Sequence, residues 1–127
     1  MIKNIFFAFC LVLGISSKAQ EIGPLISFET TLIDYGIIEN NSNGIRTFGF
    51  KNIGDQDLII RNVKSSCGCT IPKKPAGPIA PGGESEIVVR YDTKREGPFR
   101  KTITVITNIE KNPITALKIK GTVLSKK

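Results

Sequence analysis

Cys67-Gly68-Cys69-Thr70 is the most chemically distinctive run in this chain. Two thiols one residue apart can close a disulfide, because their Cα atoms fall within bridging range, and Gly68 between them is read as relief for backbone crowding in so small a ring. A loop this short gains little chain-entropy stabilisation from closure, so the bond is a poor staple and a comparatively reducible one. Three readings of the pair follow: a structural disulfide shaping its loop, a thiol-exchange centre, or a two-thiolate Cu(I) site. A closed zinc site wants four nitrogen or sulfur ligands, and the chain contains no histidine. The same absence removes Ser-His-Asp and Cys-His nucleophilic machinery, both of which need an imidazole base.

Other candidates for chemistry are weaker. Asp55 and Asp57 could touch calcium, but a calcium loop offers more oxygen ligands at defined spacing, and Asp is a good turn residue. Glu84 and Glu86 have the look of a carboxylate pair, yet alternate residues of a strand share one face and read as a solvated edge. Gly82-Gly83 reads as a turn, since a phosphate-binding loop requires a following helix. No catalytic residue, cofactor or metal is therefore expected, apart from the alternative copper reading of Cys67 and Cys69.

The elements that must position these residues are strands. Phe48 and Phe50 alternate with Thr47 and Lys51 across Ile45 to Asn52, as a half-buried antiparallel strand requires. Ile87, Val89 and Tyr91 repeat the pattern, as do Ile103 with Val105, and Leu117, Ile119 and Val123. Leu25 to Thr30 and Leu58 to Ser65 also read as strands, and Leu32 to Ile38 as a short seventh, with turn residues between all of them. The long stretch Cys67 to Glu84 is expected to be irregular, because its prolines lack the amide donors of a central strand. Thr70, Pro72, Pro81 and Gly82 within it are expected to form a loop surface. About seven short strands in roughly 100 residues predict an all-β fold, an immunoglobulin-like antiparallel sandwich.

Residues 1–19 read as a secretory signal peptide: Lys3, an apolar run from Ile5 to Ile15, then Ser17 and Ala19 before a cut between Ala19 and Gln20. Residues 20–127 then form one sandwich domain. Cys10, Lys3 and Lys18 leave with the leader, which takes the net charge from +7 to +5. The remainder holds no apolar run of membrane-spanning length, so no membrane span is expected after processing. The expected location is periplasmic or secreted, where paired cysteines usually cross-link. The basic residues are scattered and Trp is absent, which argues against nucleic acid as a partner. An envelope protein or polymer is the expected partner class, and glycan binding ranks last because the flat aromatics of sugar platforms are scarce. The oligomeric state is left open.

Phe28, Asp34-Tyr35-Gly36, Phe50-Lys51-Asn52-Ile53-Gly54-Asp55, Leu58, Ser66-Cys67-Gly68-Cys69-Thr70, Pro81-Gly82 and Gly121 together resemble an exported bacterial family, domain of unknown function 1573. The family is similar in fold to immunoglobulin-like modules of the sperm-protein and Hydin type and is frequent in Bacteroidota. The resemblance implies an envelope β-sandwich and supplies no activity, and the Cys-Gly-Cys segment carries over as a family mark only. Ile53 and Pro75-Ala76 depart from the usual pattern. The function expected from residues and resemblance together is a non-catalytic module for protein interaction or scaffolding, with a thiol-redox or Cu(I)-handling protein as the alternative.

Overall fold

The computed structural model describes residues 22–126; the expected leader and its cleavage point at Ala19 and Gln20 lie outside them. Inward-facing residues of the alternating segments collect into one core between two sheets. Phe48, Ile87, Val89, Ile103, Val105, Leu117 and Ile119 are wholly or almost wholly buried there, while their neighbours along each strand face out. The strands are β1 (Ile26–Phe28), β2 (Leu32–Ile38), β3 (Ile45–Asn52), β4 (Ile60–Ser65), β5 (Thr70–Lys73), β6 (Glu84–Tyr91), β7 (Gly97–Thr107) and β8 (Ile114–Val123). The first sheet is ordered β1-β3-β6-β5 and the second β2-β8-β7-β4.

The immunoglobulin-like sandwich is as expected, with eight strands rather than seven. The extra strand is β5, in the stretch expected to be irregular. It forms because it is an edge. Asp92 donates to the Cys69 carbonyl at 2.9 Å while the Thr70 amide turns back to the Cys67 carbonyl at 3.3 Å, so the alternation of an antiparallel ladder points the Pro72 nitrogen away from β6. A residue without an N–H costs nothing in that position. The second difference is a parallel pair, β2 with β8, in a sheet otherwise antiparallel. Parallel neighbours need a long intervening connection, and here β3 to β7 supply it.

The chain passes from one sheet to the other at every connection except β5 to β6 and β7 to β8; two of these crossings are short, Glu29–Thr31 from β1 to β2 and Ser66–Cys69 from β4 to β5. At one end of the sandwich Tyr91 stacks on Phe99 with ring centroids 3.8 Å apart, and Tyr35 meets Phe99 edge-on at 5.3 Å. Gly121 lies beneath this cluster, where a Cβ would stand 2.8 Å from that of Tyr35 and 2.9 Å from the Phe99 ring. The arginine of β3, Arg46, covers the outer side of Tyr35 with its guanidinium 4.2 Å from the ring centre.

Candidate functional site

The crossing from β4 to β5 carries the two cysteines. Cys67 and Cys69 are joined, with Cα atoms 5.3 Å apart, inside the usual range for a bridge. Cys69 is only 8% exposed and belongs to the core, whereas Cys67 is half-buried and Gly68 is exposed. The backbone around them is held independently of the sulfurs. Ser66 donates its amide to the Thr102 carbonyl at 3.0 Å and accepts the Thr102 amide on its hydroxyl at 3.1 Å. Ser65 Oγ donates to the Cys67 carbonyl at 2.7 Å and accepts the Cys67 amide at 3.2 Å. Both sulfurs also have a hydrogen-bonding neighbour: the Cys69 amide donates to Cys67 Sγ at 3.2 Å, and Thr70 Oγ1 lies 3.8 Å from Cys69 Sγ.

The φ of Gly68 lies outside the left-handed region, and apart from the two neighbouring cysteines a Cβ there would meet nothing within 4 Å. Copper cannot be held by the pair as it stands, because a closed disulfide presents no thiolate. Among the described residues no group of three or more His, Cys, Asp or Glu side chains converges as metal ligands.

The four residues expected to share a loop surface do not do so. Thr70 is buried and opens β5, since its side chain follows the inward phase of an edge strand paired to Tyr91. Pro72 is half-buried in the same strand. Pro81 and Gly82 are exposed at the far end of β6, where Gly82, at φ 81°, donates its amide to the Asn52 carbonyl at 2.8 Å. The length of β6 separates the two pairs.

Asn52 is the residue that sequence reasoning missed. It is fully buried and uses its whole side chain: Nδ2 donates to the carbonyls of Gln56 at 2.8 Å and Ile79 at 2.9 Å, and Oδ1 accepts the amides of Gly54 at 2.9 Å and, more weakly, Leu25 at 3.4 Å. The signal was present, since Asn52 continues the inward phase of Phe48 and Phe50 and a polar residue on a core face demands partners. Asp55 likewise has a structural job, accepting the amides of Ile22 and Gly23 at 3.1 and 2.7 Å.

Two broad outer faces remain. On the first sheet the outward residues of β6 run Glu84, Glu86, Val88 and Arg90. Register places Lys51, Gly49, Thr47 and Ile45 beside them on β3, and Lys73 and Ile71 beside Val88 and Arg90 on β5. One end of this face is therefore acidic, with Glu29 folded over Gly49, and the other is basic and apolar, with Ile71 61% and Ile45 41% exposed. On the second sheet Arg100 lies directly opposite Lys120, with Asp34 on the far side of Lys120. A shallow open hollow of about 490 Å³ lies between them above Gly36 and Gly121.

Several solved structures have this architecture. A protein of unknown function from Porphyromonas gingivalis W83 superposes with a TM-score of 0.71 at 16% identity, covering 84% of this chain and 50% of its own, so the chain spans half the length of that relative. The seventh PapD-like domain of human CEP192 gives 0.66 at 10% identity over 96% of this chain and 99% of its own. The YadV chaperone gives 0.58 at 13% identity over 80% and 53%. At these identities the likeness is one of fold. No curated protein matches the sequence. The model of one family, described as "Protein of unknown function (DUF1573)", matches residues 26–123, so the chain belongs to the DUF1573 family.

Proposed function

We propose that this is an exported immunoglobulin-like module of the bacterial envelope whose first sheet binds a protein partner through its outer face. One observation carries the reading: the pairing of Arg90 with Ile45 on one side and Ile71 on the other, flanked by Lys73, leaves an exposed apolar and basic patch on otherwise well-packed strands. Contiguous exposed apolar surface rimmed by charge is characteristic of interaction sites. Its fitting partner is a protein surface with an apolar centre and acidic groups around it. Support of a coarser kind comes from fold neighbours that are chaperones, YadV and the periplasmic chaperone SfaE. Export rests on the charge, apolar run and small residues of 1–19.

The test is photo-crosslinking in cells from a probe at Thr47, beside the patch, in the parent protein and two variants. Ile45→Asp with Ile71→Asp should abolish the crosslinked species. Lys118→Glu, on the second sheet, should leave them unchanged with both proteins equally stable. Equal crosslinking by all three proteins overturns the assignment of this face. Fractionation with mass spectrometry of the mature N-terminus tests export, and a Gln20 start in the envelope fraction is the expected result.

A further inference from the structure

We propose that the Cys67–Cys69 bond is a thiol-exchange centre rather than a staple, with Cys67 as the sulfur that an incoming thiolate attacks. This is independent of the binding face proposed above.

Three observations carry it. The first is redundancy: hydrogen bonds from Ser65 to Cys67, between Ser66 and Thr102, and from Asp92 to the Cys69 carbonyl fix the backbone on both sides of the bond. Opening the sulfurs therefore releases none of these contacts, and the ring they close spans a sequence separation of 2, too short to restrain the unfolded chain strongly. The second is access. Cys69 Sγ is packed in the core, while Cys67 is half-buried beside an exposed Gly68 that has open space around it. Exchange proceeds by attack of a thiolate on one sulfur with the other as leaving group, and its rate depends on access and on which sulfur is struck. The third is charge. The Cys69 amide already points at Cys67 Sγ, and the Thr70 hydroxyl lies beside Cys69 Sγ, so each sulfur has a donor for the thiolate it becomes.

The substrate class is a dithiol, small or protein-borne. One of its thiolates bonds to Cys67 Sγ; the Cys67–Cys69 bond breaks, and its electron pair leaves on Cys69 Sγ, which takes a proton from solvent. The second substrate thiol, losing its proton, then attacks its own sulfur in the mixed disulfide and expels Cys67 as thiolate. The substrate gains a disulfide and the protein gains two thiols, a transfer of two electrons and two protons. A partner disulfide accepting those electrons restores the starting state.

The mature protein, equilibrated in glutathione buffers from oxidising to reducing, alkylated and weighed, decides the matter. The expected result is half-reduction within the buffer range, with the near-ultraviolet circular dichroism of the folded protein retained. A bond that stays closed in the most reducing buffer, or a reduced protein that has lost its fold, overturns the proposal. The single variants test the choice of sulfur. With glutathione disulfide, Cys69→Ser, which leaves Cys67, should form a mixed disulfide at least tenfold faster than Cys67→Ser. Equal rates, or the reverse order, overturn the assignment of Cys67.

Discussion

The segment between β4 and β6 begins and ends in corners built on opposite principles. At its start the chain changes sheets beneath a covalent bond, yet that bond spans a sequence separation of 2 and runs alongside main-chain hydrogen bonds that hold the same corner. At its end there is no covalent link. A single amide, Asn52, reaches Leu25, Gly54, Gln56 and Ile79 with its side chain while its backbone exchanges hydrogen bonds with Gly82 and Gly83. Bond strength is a poor guide to structural importance here. A crosslink stabilises in proportion to the chain freedom it removes, whereas a buried polar group left without partners costs its full desolvation. The corner with the weaker bonds is therefore expected to be the costlier one to lose.

That contrast can be broken by mutation. Asn52→Leu removes the side-chain bonds to the Gln56 and Ile79 carbonyls and to the Gly54 and Leu25 amides, and should lower unfolding free energy by about 3–4 kcal/mol in urea titration, the largest effect of the set. Gly54→Ala at the same corner should cost about 2 kcal/mol, because its Cβ would stand 2.1 Å from the Gly23 carbonyl oxygen and 2.6 Å from the Leu25 nitrogen, both backbone atoms. Replacing both Cys67 and Cys69 with Ser should cost less, about 1.6 kcal/mol on chain entropy for so small a ring. If the cysteine pair proved costlier than Asn52, the comparison would be reversed.

The smallest expected effect sharpens the picture at the aromatic end, where Tyr91 pairs with Thr70 beside the cysteines. The Tyr35 hydroxyl donates to the Gly44 carbonyl at 2.7 Å, and Tyr35→Phe should cost about 1 kcal/mol at neutral pH. Burial, opposed by the nearby Arg46 guanidinium, pushes the Tyr35 pKa from 10.0 up to about 12. The folded protein keeps this proton where the unfolded chain loses it, so the contribution is complete below pH 10 and disappears as pH rises to about 12. Stability of the parent should fall across that window, and Tyr35→Phe should flatten the fall. Tyr91, also raised, chiefly by burial, supplies the remaining slope.

Much of this was legible in the residues, and for local reasons. Alternation has a period of two, so Phe48 with Phe50, Ile87 with Val89, and Ile103 with Val105 each declare a strand and its buried face without reference to the rest of the chain. The cysteine pair was legible for a similarly local reason, since with one intervening residue the two Cα atoms can lie within bridging range. What tertiary structure alone decided are the relations between distant residues. Pro72 is admitted to a strand because that strand lies at an edge with its nitrogen turned outward, and Thr70 is buried because β5 pairs with β6. Pro81-Gly82 is separated from Thr70 because β6 runs between them. Asn52 finds a partner 27 residues away in Ile79. Periodicity reports which side of a strand a residue occupies. Sheet order and register determine what it meets there, and those are set by the packing of the whole core.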